Sequence, residues 1–210
     1  MRVYYAARAA EYDRVYAKPE RQPDLAAMRA WLPPWFAGRQ VLEVACGTGH
    51  WTRFIAPVAA GLVGIDAAAE TLVIARSRVS AAQARFVVGD AYALDDALGR
   101  FDAAFAGFWY SHIPRARRPG FLDGLARRLT PGARLVLIDN RYVEGSSTPL
   151  EPADAEGDTW QPRRLDDGSV HRVLKNFPTP DELHAEIGRV ATGVHVVQWT
   201  HYWAVTGLIT

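Results

Sequence analysis

The sequence is poor in cysteine and has no long apolar runs. Its one cysteine, Cys46, cannot form a disulfide within the chain, and a chain without a disulfide framework is typical of a reducing compartment. No apolar run approaches the roughly 20 residues that a membrane-spanning helix needs. The first residues, MRVYYAARAAEYDRVY, mix charge and tyrosine throughout, unlike a secretory signal. We therefore expect a cytoplasmic protein that does not contact a membrane.

An excess of charge of one sign is also missing. Lys and Arg number 24 and Asp and Glu number 23, which gives a formal net charge of +1. Nucleic-acid binding normally relies on a basic face, so we expect no nucleic-acid partner. The length of 210 residues and the apolar content of 49% suit one large domain over residues 1–210.

Short apolar runs alternate with helical patterns along most of the chain. The predicted strands are 40–44, 62–65, 85–88, 101–108 and 134–138, and the predicted helices are 4–17, 24–32, 50–59, 69–79 and 114–129. Continuous apolar strands between helices indicate a parallel sheet covered on both faces. The runs 194–199 and 202–209 add a C-terminal antiparallel hairpin, so the pattern predicts an α/β, doubly wound, Rossmann-like sheet of seven strands.

Residues 141–178 interrupt this alternation, and we call them the lid segment. Alternating runs at 159–165 and 169–177 flank Asp166-Asp167-Gly168, which predicts a β-hairpin inserted after strand 5. Thr179-Pro180-Asp181-Glu182 then has the pattern of a capping box and predicts a helix over 180–187. At the other end of the chain, the helices of residues 1–36 are predicted to form an N-terminal flap.

Small or acidic residues follow the first three predicted strands. Ala45, Gly47 and Gly49 form the first strand-to-helix turn, where small residues let a ligand approach the backbone and the helix start offers free N–H groups. Asp66 ends the second strand and Asp90 ends the third. Each feature alone is explained by a tight turn or a helix cap. Their occurrence at three successive strand ends indicates a nucleoside site, because ligands bind at this edge of such sheets.

The residues around the glycine turn bear on which nucleoside cofactor binds. A dinucleotide site needs the pattern G-x-G-x-x-G, whereas His50 follows Gly49 here. Glu43, just before the turn, would repel a pyrophosphate and suits the ammonium group of a bound amino acid. This disfavours a nicotinamide-dependent dehydrogenase and favours S-adenosylmethionine, which joins adenosine to a methionine moiety.

The run from Glu43 to Gly49 resembles the first motif, acidic-x-G-x-G-x-G, of the class I S-adenosylmethionine-dependent methyltransferases, with Ala45 replacing the first glycine. The resemblance covers about residues 1–140 and the terminal hairpin. It implies that Glu43 and the turn hold the methionine end, that Asp66 binds the ribose, and that Asp90 with the Ala91 amide binds adenine. The cofactor-binding residues predicted in this way are Tyr5, Arg8, Tyr12, Glu43, Ala45, Gly47, Thr48, Gly49, Trp51, Asp66, Ala67, Asp90, Ala91 and Phe108.

Within that family the sequence resembles the phosphonate O-methyltransferase of dehydrophos biosynthesis. The shared pieces are Tyr4-Tyr5 with Arg8 and Glu11-Tyr12-Asp13, the run 47–53, the run 109–114, and Asp167-Gly168 with Lys175. This likeness implies methyl transfer to a small molecule, but it does not identify the acceptor.

One side chain is a candidate base, and three others are candidates for contact with the acceptor. His112 follows the fourth strand, and its ordinary pKa near ~6.5 suits a base at neutral pH; alternatively, it only bonds the backbone at a loop entry. Tyr110 is a candidate for the same pocket. Arg141 and Lys175 would grip an anionic substrate, or they are solvated charges on the lid segment.

A metal site is not expected. Metal-dependent catechol-type methyltransferases carry Asp-Asn after strand 5, as Asp139-Asn140 here, together with another aspartate after strand 4. This chain has Trp109-Tyr110-Ser111 there, so an oxygen ligand for Mg²⁺ is missing. We therefore expect a small-molecule methyltransferase that favours O-methylation. N- or C-methylation, a non-catalytic S-adenosylmethionine-binding protein, and a homodimeric state stay open.

Overall fold

The computed structural model describes residues 16–165 and 167–210. The strands are β1 (Gln40–Val44), β2 (Gly61–Asp66), β3 (Arg85–Val88), β4 (Phe101–Gly107), β5 (Leu129–Asn140), β6 (Trp160–Arg164), β7 (Val170–Leu174), β8 (Ala191–Gln198) and β9 (Tyr202–Ile209). The α-helices are α1 (Gln22–Trp31), α2 (Thr52–Ile55), α3 (Ala69–Arg78), α4 (Arg118–Ala126) and α5 (Pro180–Ile187).

Seven strands form one mixed sheet in the order β3-β2-β1-β4-β5-β9-β8. The first five run parallel, whereas β9 is antiparallel to both β5 and β8. Strands β6 and β7 pair separately as an antiparallel hairpin within the lid segment. The predicted Rossmann-like fold with a C-terminal antiparallel hairpin is confirmed. The strand order reverses between β1 and β4, so the carboxyl ends of these strands flank the crevice where such sheets bind ligands.

Helices cover both faces of the sheet and form one apolar cluster on each. Leu25 of α1, Ile55 of α2 and Leu72 of α3 pack together on one face. Leu122 of α4 and Leu183 of α5 pack on the other face. Burial of such a side chain contributes about 1.5–3 kcal/mol to folding, so the two clusters fix the sheet and hence the positions of its strand ends.

The boundaries differ from the sequence prediction where turns interrupt a helical pattern. The predicted helix 114–129 divides into a 3₁₀ turn, Arg115–Arg117, and α4, which starts at Arg118 with a proline in its first turn. Strand β5 begins at Leu129, earlier than predicted, because Leu129 already pairs with Phe101 before a register shift. The predicted helix 50–59 is α-helical only over Thr52–Ile55.

The N-terminal prediction is only partly covered. Helix α1 corresponds to the predicted helix 24–32, whereas most of the predicted helix 4–17, with Tyr5, Arg8 and Tyr12, lies outside the described residues. Across residues 16–165 and 167–210, the structure has no helix with the length and apolar character needed to cross a membrane.

Candidate active site

A cavity of about 720 Å³ opens at the carboxyl ends of β1, β2, β3 and β4. Gly47, Asp66 and Asp90 line it, together with His112 and Trp160. Its size is within the range of roughly 300–1,000 Å³ typical of small-molecule sites. The structure thus brings residues from four strand ends and from the lid segment to one cavity.

The turn after β1 has an unusual backbone at three positions. Ala45, Gly47 and Gly49 have φ values of 54°, 55° and 72°, in the left-handed region that favours glycine. A Cβ on Gly47 would meet no atom within 4 Å, whereas one on Gly49 would lie 3.1 Å from Ala75 of α3. Gly47 therefore keeps the backbone bare toward the cavity, and Gly49 allows α3 to pack closely.

Asp66 ties this turn to the end of β2. Its two carboxylate oxygens accept hydrogen bonds from the backbone N–H groups of Gly47 and Ala68, each at 2.9 Å. Burial raises the pKa of Asp66 above its usual value. Because each oxygen has a second lone pair, the carboxylate can also accept bonds from a ligand in the cavity.

Glu43 is buried on β1 immediately before the turn. Its Oε2 finds no hydrogen-bond partner in the described part of the chain. Burial raises the pKa of Glu43 to about 8, because a carboxylate is costly to desolvate. Because Oε2 has no partner at this depth, either a proton or a cationic ligand group would satisfy it.

The other predicted cofactor residues divide into lining and supporting groups. Ala45, Ala67, Ala91 and Phe108 line the cavity with Asp90, whose Oδ1 accepts the backbone N–H of Tyr92 at 2.9 Å. Thr48 and Trp51 are buried beside the turn: Thr48 Oγ1 accepts from Arg78 at 2.8 Å, and the Trp51 ring stacks on Phe108 at 6.0 Å.

His112 lies at the junction between the sheet and the lid segment. Its Nδ1 is 2.6 Å from the carbonyl oxygen of Leu174, the last residue of β7. Since a carbonyl only accepts, Nδ1 carries the proton and Nε2 is the acceptor nitrogen. Burial, together with the nearby Lys175 ammonium, holds the pKa of His112 well below its usual value. The ring is therefore a neutral imidazole that both bonds the backbone and lines the cavity.

Lys175 forms a buried ion pair beside His112. Its Nζ donates to Asp139 Oδ1 at 2.9 Å and to Ser111 Oγ at 2.5 Å. Burial alone would raise the pKa of Asp139, but the Lys175 ammonium and the Ser111 N–H bond hold it at about 2. Lys175 is thus committed to a partner at the end of β5, and the solvated-charge interpretation does not describe it.

The structure places Tyr110 and Arg141 away from the cavity. Tyr110 is fully buried on the opposite side of its turn and donates its hydroxyl to Glu186 Oε2 at 2.5 Å. Arg141 donates to the Trp199 carbonyl oxygen at 2.6 Å, near the terminal hairpin. Since these bonds direct both side chains elsewhere, we do not retain them as acceptor ligands.

Two arginines that the sequence analysis did not single out line the cavity instead. Arg172 stacks over the Trp160 ring at 4.3 Å, and Arg117 stacks over Tyr92 at 3.6 Å. On β7, side chains alternate between faces, so Arg172 shares its face with Leu174, another lining residue. That alternation was the available signal, but only the placement of the hairpin shows which face meets the cavity.

The described residues contain no group of three or more His, Cys, Asp or Glu side chains that would hold a metal ion. Asp139, of the Asp-Asn pair, uses both oxygens for bonds to Ser111, Asn140 and Lys175. The expectation of no metal therefore remains a prediction.

Comparisons with known proteins connect this site to a chemistry. Residues 41–132 match the family model described as "Methyltransferase domain". The chain is 32% identical over 154 residues to the ubiquinone biosynthesis O-methyltransferase of Azorhizobium caulinodans, which covers 72% of this chain and 57% of that protein. A demethylmenaquinone methyltransferase of Tropheryma whipplei is 38% identical over 106 residues, or 49% of this chain and 42% of that protein. The chain spans about half the length of the curated relatives that it matches.

Solved structures extend the similarity to nearly the whole chain. A complex of DhpI with SAM and HEP superposes with a TM-score of 0.79 at 27% identity, covering 97% of this chain and 94% of that one. A complex of DhpI with SAH gives a TM-score of 0.78 at 26% identity, with 97% and 92% covered.

Proposed function

We propose that the chain is a class I S-adenosylmethionine-dependent methyltransferase and that it methylates an oxygen atom of a small anionic acceptor. The observation that carries this proposal is the charge of the residues that line the cavity. Asp66 and Asp90, at the ends of β2 and β3, line what we call the cofactor end. Trp160, Arg172 and Leu174 of the hairpin, with His112 bonded to Leu174, line what we call the acceptor end.

The residues at the cofactor end fit an adenosine with an amino-acid tail. Glu43 Oε2 is buried and lacks a partner among the described residues, and it would pair with the α-ammonium group of the tail. The bare backbone at Gly47 would admit the tail, since a Cβ there would have open space around it. Asp66 would bind the ribose hydroxyls, and Asp90 with the Ala91 amide would bind adenine.

When bound, S-adenosylmethionine supplies an electrophilic methyl group and a thioether leaving group. The protein's part is to hold the acceptor oxygen in line and to exclude water. Phe108, Trp109, Trp160 and Leu174 give the cavity largely apolar walls. An apolar wall also strengthens the electrostatic interactions beside it.

The charge at the acceptor end favours an anion. Arg172 lines it, whereas Arg117, the second arginine of the lining, stacks over Tyr92, two residues after Asp90. Arg172 donates from Nε to Glu151 Oε2 at 2.6 Å, and its other guanidinium N–H groups are donors that suit a carboxylate or phosphonate-type oxygen. In support, one relative is named as an O-methyltransferase and DhpI has been crystallised with SAM and HEP.

His112 is suited to orient this acceptor more than to deprotonate a hydroxyl. Nδ1 is bonded to the Leu174 carbonyl oxygen, so Nε2 is the accepting nitrogen and would orient a hydroxyl group of the acceptor other than the ionised oxygen that takes the methyl group. A base with a strongly lowered pKa takes a proton poorly from a weakly acidic alcohol. An acid oxygen is already ionised and needs no proton transfer: its electron pair forms the new C–O bond as the C–S bond breaks, and the electrons of that bond stay on sulfur.

The first experiment incubates the full chain with methyl-labelled S-adenosylmethionine and small carboxylates, phosphonates, phenols and amines. We expect carboxylates to give methyl esters, which mild base cleaves to release labelled methanol, and phosphonates to give base-stable monomethyl esters. The carbon-13 chemical shift of the transferred methyl group identifies the atom that carries it, and a methyl group on nitrogen or carbon would overturn the proposed O-methylation. Tight binding of S-adenosylhomocysteine without transfer to any acceptor class would favour the non-catalytic alternative.

Variants of the hairpin test the charge argument. Arg172→Gln should raise the KM for an acid acceptor about tenfold, because it removes a charge-assisted hydrogen bond. The matched control is Arg164→Gln: Arg164 is an exposed neighbour on the same hairpin that donates to the Gly168 carbonyl oxygen. Equal KM values for the two variants would contradict a role for Arg172 in acceptor binding.

A further inference from the structure

The turn over residues 108–112, here called the site turn, presents two faces. Phe108, Trp109 and His112 line the cavity, whereas Tyr110 and Ser111 are fully buried behind it. The proposed reaction depends on the first face, because it holds the ring of His112 and the wall beside it. What holds the second face therefore determines where the first face lies.

The backbone of the site turn is strained. Phe108 has φ +59°, a left-handed conformation that is unfavourable for a bulky aromatic residue. Such a conformation persists only where the surrounding structure fixes it. Two of the anchors belong to β5: the Phe108 N–H donates to Ile138 at 2.8 Å, and the Ser111 N–H donates to Asp139 Oδ2 at 2.9 Å.

A third anchor comes from helix α5. The Tyr110 hydroxyl donates to Glu186 Oε2 at 2.5 Å. Glu186 also accepts two bonds from Nη1 of Arg118, at 3.0 and 3.2 Å. Arg118 is fully buried, and its guanidinium carbon lies 4.9 Å from the centre of the Tyr110 ring. The ring of Trp203 meets Tyr110 edge-on at 6.2 Å. The tyrosine is therefore held at its hydroxyl, its face and its edge.

This arrangement exceeds what packing requires, since a phenylalanine would fill the same apolar space. The hydroxyl adds one directional bond, which crosses from the site turn to α5. From this geometry we propose that Tyr110 and Glu186 are positioning residues, whose hydrogen bond fixes the site turn so that His112 meets the acceptor. The inference rests on the proposed function, because methyl transfer is one of its readouts.

Tyr110→Phe tests the bond with little other change. The ring and its packing remain, and Glu186 keeps Arg118 and its access to solvent. We expect kcat to fall about tenfold, because displacements of less than 1 Å at a reacting centre suffice for such losses. The KM for the acceptor and the Kd for S-adenosylhomocysteine should stay within about twofold, since neither site loses a contact.

Two comparisons separate positioning from general destabilisation. Thr179→Ala removes the side-chain cap at the start of α5. It should lower Tm by about 2–4 °C without a change in kcat. In the Tyr110→Phe background, Glu186→Gln should lower kcat by no more than about another twofold, because the bond is already lost. Independent, multiplied effects of the two substitutions on kcat would overturn the inference.

Amide hydrogen exchange gives a readout that does not require turnover. Exchange at residues 108–113 should accelerate in Tyr110→Phe and remain unchanged in Thr179→Ala, which should affect α5 only. Unchanged exchange and kcat in Tyr110→Phe would overturn the positioning role. If the wild-type chain transfers no methyl group to any acceptor, the proposed function fails, and the exchange experiment still decides whether Tyr110 fixes the site turn.

Discussion

Cofactor binding should release a proton from Glu43. The carboxyl group is buried, Oε2 has no partner in the described part of the chain, and burial raises its pKa to about 8. At pH 7, one unit below this pKa, the carboxyl group is about 90% protonated, and its ionisation costs about 1.4 kcal/mol. An α-ammonium group placed beside it would favour the carboxylate, so the proton would leave as the cofactor binds.

The expected size of the release follows from the two titrating groups. An α-amino group has a pKa of about 7.7–8.0 and is itself slightly deprotonated at pH 7, so it takes up about 0.1 of a proton on pairing. The net release is about 0.8 of a proton at pH 7. By linkage, affinity should rise nearly tenfold between pH 6 and 7, reach a maximum near pH 8, and fall above it.

Calorimetric titration with S-adenosylhomocysteine measures this directly. Binding enthalpies at pH 7 in buffers with different ionisation enthalpies give the number of protons released as a slope. Glu43→Gln should abolish the release and leave only the small uptake by the amine. Glu70→Gln, at an exposed glutamate in the first turn of α3, should behave as the wild type. A wild-type release below about 0.2 of a proton, or a full release by Glu43→Gln, would refute the pairing of Glu43 with the ammonium group.

Further predictions concern stability and turnover. The pKa of Glu43 is raised in the folded protein, so its protonated form contributes fully to the free energy of unfolding below about pH 4.5, and this contribution is lost as pH rises toward about 8. Glu43→Gln should therefore raise the Tm of the ligand-free protein at pH 8 but not at pH 4. Lys175→Met should cost about 3–5 kcal/mol in urea unfolding, since Asp139 is left buried and unpaired, and adding Asp139→Asn should recover most of it; additive losses would contradict this. His112→Asn should lower kcat about 10- to 100-fold with an unchanged Kd for S-adenosylhomocysteine, and near-normal turnover would exclude a role for the ring. Gly49→Val should weaken cofactor binding and lower Tm, because its Cβ would lie 3.1 Å from α3 at φ +72°; unchanged calorimetric and melting curves would contradict this.

The sequence was informative wherever function depends on the end of a strand. Gly47, Asp66 and Asp90 follow three parallel strands that are neighbours in the sheet, and the carboxyl ends of such strands lie along one edge. Strand periodicity therefore places these residues together without any knowledge of side-chain packing. His112 follows β4 on the same edge, and for that reason it also reaches the cavity.

The sequence was less informative where the outcome depends on one turn or on a distant partner. Tyr110 and His112 are two positions apart in the same 3₁₀ turn, yet one faces the α5 side and the other faces the cavity. Nothing local to residues 110–112 indicates which side chain turns inward. Likewise, Lys175 finds its carboxylate 36 residues earlier, at the end of β5, a pairing that no sequence period predicts.

The contacts that hold the lid segment in place also set the state of His112. The end of β7 is bound to the site turn by the Asn176 N–H, which donates to the Ser111 carbonyl oxygen at 2.8 Å, and by the buried Lys175–Asp139 pair. The neighbouring Leu174 carbonyl oxygen accepts a hydrogen bond from His112 Nδ1–H and so fixes the tautomer. Moving the hairpin away would therefore break the bond that makes Nε2 the acceptor nitrogen. Because Arg172 lies on the same strand, acceptor binding and the orientation of His112 depend on one docked element, and changes in the hairpin should alter KM and kcat together.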